Sequence, residues 1–490
     1  MINGHGQSDG GIVPEKSPNN LQGAEGMEGR QPVKGNAQEG PSHRTQSRTE
    51  GMQKVLERIR EAVSRDKEAK LTSLYHHIYN VGHLREAYYG LRKRAAAGVD
   101  GETWQHYGER LEANLEDLAG RLARGGYRAR PVRRKYIAKA DGRQRPLGIP
   151  ALEDKIVQSV TAQIFTAIWE EEFLGYSYGF RPGRNAHQAL DALVVGIQQK
   201  RVNWVLDADI RGFFDTISHE WLVKFIEHRI GDRRIITLTQ KWLRAGVLEE
   251  GQWTQSEEGT PQGGIISPVL ANIYLHYAFD LWVQQWRKHN AHGDVIVVRY
   301  ADDFVVGFEH REEAEQFQQE LAERLKKFDL ELHDEKTRLI EFGRLAATNR
   351  ARRGAGKPET FNFLGFTHYC STTRKGKFVV KRQTMRKRMQ AKLKVVKQEL
   401  RRRMHAPIPQ QGRWLASVLR GHYQYYGVPF NSLALWEFRR QVTILWKRLL
   451  SRRSQKGYVN WERMERLCHK WLPNPRICHP YPTLHLRVIT

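Results

Sequence analysis

Cysteine is nearly absent from this 490-residue chain, which holds only Cys370, Cys468 and Cys478. Three thiols cannot build a disulfide framework, so a cystine-stapled extracellular fold is excluded and a reducing compartment is expected. No Cys-x-x-Cys pair occurs. Cys468-His469 and Cys478-His479 are chain neighbours that face different ways, so zinc is not expected. Long apolar runs are missing too. No stretch of about 18 apolar residues is present, so no membrane span is expected. Residues 1–18 lack the apolar core of a secretory signal.

Acid is scarce at one end. The chain carries 80 Lys and Arg against 54 Asp and Glu, a net charge of +26. Residues 371–490 hold 28 basic against 4 acidic groups, leaving 52 against 50 upstream. A segment so lopsided repels itself unless a polyanion neutralises it. Nucleic acid is the expected partner, with an anionic membrane surface as the alternative. Residues 1–50 are poor in aromatic and branched side chains. They cannot offset their ordering entropy by burial, which reads as a disordered tail. The length predicts two or three globular units.

What is present is patterned. Helical spacing runs from Gly51 to about Ala97, through Leu111, Leu115, Leu118 and Leu122, and from Glu153 to Glu172. Between about 127 and 370, strand-like runs alternate with helical ones, so an α+β unit is expected. Tyr136-Ile-Ala and Pro146-Leu-Gly-Ile-Pro150 flank a polar turn. Trp204-Val-Leu-Asp-Ala-Asp209 reads as a strand, as do Val295-Ile-Val-Val298 and Phe304-Val-Val-Gly-Phe308. After Lys381, apolar stripes at spacings of three and four predict three helices: Met385 to Met404, Leu415 to Tyr426, and Leu435 to Leu449. The methionine stripe is core packing. Arg and Lys occupy the other faces, which predicts a cationic helical bundle.

The chemistry gathers at two strand ends. Tyr300-Ala-Asp-Asp303 lies at a hairpin tip, and Asp209 ends another strand. An isolated Asp-Asp pair can stand in a turn merely because Asp suits turns. Two acidic strand ends together point instead to hard divalent ions, which take oxygen ligands. Two such ions about 3.5–4 Å apart would activate a hydroxyl and stabilise a departing pyrophosphate.

Further blocks occur in order: Tyr136-Ile-Ala-Lys-Ala-Asp-Gly-Arg-Gln-Arg-Pro-Leu-Gly-Ile-Pro150, Tyr178-Gly-Phe-Arg-Pro-Gly-Arg184, Leu206-Asp-Ala-Asp-Ile-Arg-Gly-Phe-Phe-Asp215, Gly259-Thr-Pro-Gln-Gly-Gly264, Glu335-Lys-Thr337 and Phe363-Leu-Gly-Phe366. With the Asp302–Asp303 turn they make the chain resemble bacterial group II intron-encoded reverse transcriptase/maturases over roughly residues 70–490.

That resemblance implies a right-hand polymerase of α+β class, fingers and palm with antiparallel sheet plus an all-helical basic thumb or maturase domain. The implied divisions are a tail over 1–50, an N-terminal extension with fingers and palm over 51–370, the thumb over 371–455, and a short DNA-contacting tail over 456–490. By the same resemblance Asp209, Asp302 and Asp303, with the Ile210 carbonyl, would hold two Mg²⁺ ions, with Mn²⁺ as a substitute. Lys139 and Arg145 would grip the incoming triphosphate, although two solvated basic residues in a hairpin is the alternative. Phe214 would sense the sugar, Gln262 and Gly263 would contact nucleotide and template, and Asp215 would orient local structure. Phe363, Leu364 and Gly365 resemble the primer grip, with a buried strand carrying a bulge glycine as an equal reading.

The implied activity is RNA-directed DNA synthesis from dNTPs on a primed RNA template. Binding of its own intron RNA to promote splicing and copying at a DNA target are implied with it. A host-defence reverse transcriptase and a splicing-only maturase are the rival expectations. The paired cysteines and His-Asn-His site of the endonuclease domain found in many relatives are not present in this sequence. A bacterial cytoplasmic, nucleoid-associated location is expected.

Overall fold

The structure is a computed structural model that describes residues 12–14, 46–138, 144–249, 252–254, 258–260, 263–453, 458–484 and 486–488. Its centre is a four-stranded antiparallel sheet. Val295–Tyr300 lies at one edge, followed by Asp303–Phe308, then Trp204–Asp209, then Arg338–Glu341. Side chains alternate across a strand with period two. Leu206, Ala208, Val297, Phe304 and Val306 therefore enter one core, while Val205, Ile296, Val298, Val305 and Ile340 enter another. Both faces are buried, which is why Val295-Ile-Val-Val298 is apolar throughout.

The first core joins the sheet to helices Gln46–Arg65, Val81–Gly90, Leu111–Ala123, Leu152–Trp169 and Arg311–Lys326. The second packs helix Ala186–Gln199 against the sheet's other face and against a three-stranded sheet of Phe361–Phe363, Phe366–Thr372 and Phe378–Thr384. A third core belongs to helices Arg386–Arg402, Ile408–Tyr426, Ser432–Leu450 and Trp461–Trp471. The three helices expected after Lys381 are all present. The fourth contributes Met464 and Cys468 to the same core, so the final segment is packed on the bundle.

The hairpin Val132–Ala138 with Gln144–Ile149 is antiparallel, and its turn lies outside the described residues. Val132 and Arg133 also run parallel to Val247 and Leu248, beside the otherwise antiparallel pairings. Ile12–Pro14 pairs antiparallel with Leu486–Val488, and Gln46 opens the helix that runs to Arg65. The first has its partner in a distant strand, and a helix nucleated downstream propagates cheaply toward its N-terminus.

No helix among the described residues is long and apolar enough to cross a membrane. The fold is α+β, with antiparallel sheets and a separate helical region, as expected.

Candidate functional site

Asp209 is the last residue of the strand Trp204–Asp209, and it is paired directly with Asp303 on the neighbouring antiparallel strand. Asp303 also pairs with Tyr300, so only Ala301 and Asp302 span the turn. Ala301 takes φ +57° to close it. Opposed residues on adjacent strands hold their Cβ atoms about 4.5–5.5 Å apart. The register thus brings Asp209 to the same sheet edge as Asp302 and Asp303, although Asp209 and Asp302 are 93 residues apart in the chain. Asp302 is half-buried and Asp303 exposed.

The face of this strand that starts at Val205 continues as Asp207 and Asp209. Asp207 is opposed by Arg338, whose guanidinium lies 3.7 Å from its carboxylate. Burial pushes the Asp207 carboxyl up to about 6, and the neighbouring Asp209 adds to that, while Arg338 pulls the other way. Asp209 itself is held by the ammonium of Lys336, and its carbonyl accepts from His333 N–H at 2.8 Å. Ile210 forms a bridge with Leu332, whose two bonds run through Asp209 and Arg211.

Among the described residues, no three His, Cys, Asp or Glu side chains converge closely enough to hold a metal ion as they stand. The backbone register nevertheless sets Asp209 opposite Asp303. Like charges repel, and the Lys336 ammonium takes one carboxylate for itself. The donor set still suits a hard divalent cation, which favours carboxylate oxygens. Ligation through Asp209 requires it to exchange an ammonium for the ion.

Phe214 stands in the short helix Phe213–Thr216, which Gly212 enters with φ +58°. Its carbonyl accepts from Thr260 N–H at 2.8 Å, and Gly259 N–H bonds the Ile217 carbonyl at 2.8 Å. His219 adds a bond to the Gly259 carbonyl at 2.7 Å. Gly259 has φ +82°, and a Cβ there would come within 2.9 Å of the carbonyls of both Phe214 and Asp215. The segment 258–260 is therefore laced onto the Phe214 turn. Asp215 is exposed, and its N–H bonds the Gly212 carbonyl at 2.7 Å. Gly263, at φ +119°, faces Gly148 of the hairpin strand Gln144–Ile149, where a Cβ would meet the carbonyl at 2.6 Å. Gln262 and Lys139 lie outside the described residues. Arg145 is described only as backbone, paired with Ile137.

Phe363-Leu-Gly-Phe366 is a two-residue hairpin, with Phe363 paired to Phe366. Leu364 and Gly365 both have positive φ, +47° and +80°, the signature of a type I′ turn. Tyr425 Oη donates to the Leu364 carbonyl at 2.9 Å and Met385 N–H to the Gly365 carbonyl at 3.1 Å. The tip is tied to the end of helix Ile408–Tyr426.

Three site features escaped the sequence. Asp207 shares a face with Asp209, which spacing of two on a strand would have signalled. Lys336 stood in a recognised block without a role. The approach of Gly148 to Gly263 left no local trace.

Residues 137–368 match the reverse transcriptase (RNA-dependent DNA polymerase) family. Escherichia coli protein YkfC is 38% identical over 237 residues, which span 43% of this chain and 62% of that protein. The group II intron-encoded protein LtrA of Lactococcus lactis is 37% identical over 223 residues, 45% of this chain and 37% of LtrA. A putative COX1/OXI3 intron 1 protein of Saccharomyces cerevisiae is 32% identical over 208 residues, 42% of this chain and 25% of its own length. The chain thus spans less than two thirds of these relatives. Residues 137–368 are thus similar to reverse transcriptases, and the chain is similar over part of its length to the group II intron-encoded protein LtrA.

Proposed function

We propose that the chain is an RNA-directed DNA polymerase that also binds intron RNA, promotes its splicing and copies it at a DNA target. The observation that carries this is the register of Asp209 against Asp303, which joins two acidic strand ends at one edge. Asp209, Asp302 and Asp303, with the Ile210 carbonyl, would hold divalent cations, Mg²⁺ by preference and Mn²⁺ as a substitute. Such cations supply charge neutralisation to phosphoryl transfer.

The chain's own residues do the rest. Lys139 and Arg145 neutralise the triphosphate of an incoming dNTP. Phe214 packs against its sugar and excludes a 2′-hydroxyl, held in place by the 258–260 segment. Gln262 and Gly263 face nucleotide and template, and the Phe363-Leu-Gly365 tip supports the primer end. Residues 51–370 serve as N-terminal extension, fingers and palm. The helices from Arg386 serve as thumb, and the segment after residue 456 contacts target DNA. Intron RNA docks on the cationic helices, where rings stack on unpaired bases and Arg and Lys meet phosphate. In a bacterial cell this work is cytoplasmic, beside the nucleoid.

Primer extension on an RNA template with dNTPs and Mg²⁺ tests the reading. Wild type should make DNA and Asp302→Ala almost none. Equal product from the two would remove the site assignment.

A further inference from the structure

Beneath the Tyr300–Asp303 turn lies an arginine that no step above uses. Arg299 and Asp280 form an ion pair in which neither side chain is exposed at all. Arg299 Nε donates to Asp280 Oδ1 at 2.7 Å, and Nη2 to Asp280 Oδ2. One of the remaining bonds reaches the turn itself, and the other two fix the guanidinium beneath it. Nη1 donates to the Ala301 carbonyl at 2.9 Å and to Asn272 Oδ1 at 3.1 Å, and Nη2 to Ser177 Oγ at 2.7 Å. The backbone of Arg299 is clamped as well, its N–H to the Tyr176 carbonyl and its carbonyl to Tyr178 N–H, each at 2.8 Å.

The Tyr178–Arg184 block, to which no role has been given, forms the bed of this arrangement. A Cβ at Gly179 would run into the amide nitrogen of Ala301, so only glycine lets the turn lie this close. The Gly179 carbonyl accepts from Asn272 Nδ2 at 2.7 Å. Asp280 owes its place to a π-helical turn, His276–Asp280, inserted between helices Ser267–Leu275 and Leu281–His289. Deleting the extra residue of such a turn would rotate the helix beyond it by about 100° and carry the carboxylate away.

We propose that Arg299, seated on Asp280 and Ser177, is a positioning residue that holds Ala301 in its left-handed conformation and so aims Asp302 and Asp303. A buried ion pair is a poor source of stability, because desolvation offsets attraction. Its five fixed donors supply direction. The inference rests on the polymerase reading and names what orients that site.

The test is single-nucleotide incorporation on a primed RNA template with Mg²⁺ titrated, comparing wild type, Asp302→Ala, Arg299→Lys, Asn272→Ala and Ser177→Ala. Lysine keeps the charge but cannot reach Asp280 and the Ala301 carbonyl together. In folded Arg299→Lys, kcat should fall about 10- to 100-fold and the Mg²⁺ needed for half-maximal rate should rise severalfold, as misplacement near 1 Å costs. The dNTP KM should stay within about twofold, the pattern of an interaction used in the transition state alone. Asn272→Ala should move the same two quantities less. A purely structural role would lower the melting temperature and leave the Mg²⁺ midpoint alone. Should Arg299→Lys fail to fold, Asn272→Ala and Ser177→Ala decide, since neither strands a charge. Wild-type kcat and Mg²⁺ midpoint in the folded variants overturn the inference. Product from Asp302→Ala equal to wild type overturns the polymerase reading instead.

Discussion

The ammonium of Lys336 rests on the carboxylate of Asp209, 127 residues away in the chain. The segment that carries Lys336 is tied to the end of the Asp209 strand by the His333 N–H bond to the Asp209 carbonyl and by the Arg211 N–H bond to the Glu331 carbonyl. The pair is half-exposed, so its share of stability is about 0.2–1 kcal/mol. The place of Lys336 at the acidic edge sets it in competition with any cation for the Asp209 carboxylate.

Replacing that cation should therefore separate metal binding from folding. Lys336→Met should lower the metal-free melting temperature slightly and lower the Mg²⁺ concentration that restores it, since the ion no longer competes for Asp209. Thermal melts across a Mg²⁺ titration read both. An unchanged Mg²⁺ midpoint would mean that Lys336 does not contend for the carboxylate.

Asp207 makes a prediction about pH. Its folded carboxyl is raised to about 6 from an ordinary 3.8, chiefly by burial. Between those values the native chain keeps a proton that the unfolded chain has released. Stability from this group is thus greatest at low pH, falls as pH rises through the window, and levels above about 6. Asp207→Asn should remove that slope, worth about 1–3 kcal/mol between pH 4 and 7. Urea midpoints of both chains across the range give the difference, and parallel curves would refute it. Asp154, also raised to about 6, stays in both and cancels.

The Leu364-Gly365 tip should tolerate asparagine far better than valine. Gly365 has φ +80°, and a Cβ would stand 3.1 Å from Tyr426 Oη. A β-branched residue there costs on the order of 1–3 kcal/mol, whereas asparagine accepts this backbone region. Gly365→Val should lower the melting temperature and raise the KM for primed template, and Gly365→Asn should do little. Equal behaviour would mean that the turn is not held in this form.

Discrimination against ribonucleotides should depend on Gly259 as well as Phe214. Phe214→Ala should improve the relative kcat/KM for rNTPs at least about tenfold, or about 1.4 kcal/mol. Gly259→Ala should shift it in the same direction by less, because its Cβ displaces the Phe214 and Asp215 carbonyls. Competition between dNTP and rNTP measures both. No change in Phe214→Ala would remove the sugar-sensing role.

Arg386, Lys387, Arg401 and Arg402 are exposed at the two ends of one helix. Reversing their charges should weaken RNA binding and reduce the slope of log K against log salt by about 0.7 for each single-strand phosphate that is no longer neutralised. Arg402 already pairs with Glu399 at 3.6 Å, so its share should be the smallest. A slope identical to wild type would take this face out of the RNA interface.

Much of this molecule was legible locally. The Asp302–Asp303 turn announces itself through two apolar runs, and the helices after Lys381 through apolar spacing of three and four. Both signals lie within a few residues, where backbone geometry alone sets which side chains share a face. The strand Trp204–Asp209 was equally plain, and so was its acidic end.

What only the tertiary structure decided is how these pieces face one another. That Asp209 opposes Asp303 is a matter of register, and a slip of one residue would have turned its side chain to the other core. The Lys336 pair, the close approach of Gly179 to Ala301, the parallel contact of Val132 with Val247 and the seating of Arg299 on a π-turn carboxylate all join residues far apart in the chain. No local pattern encodes them, because they arise from the packing of separately formed elements.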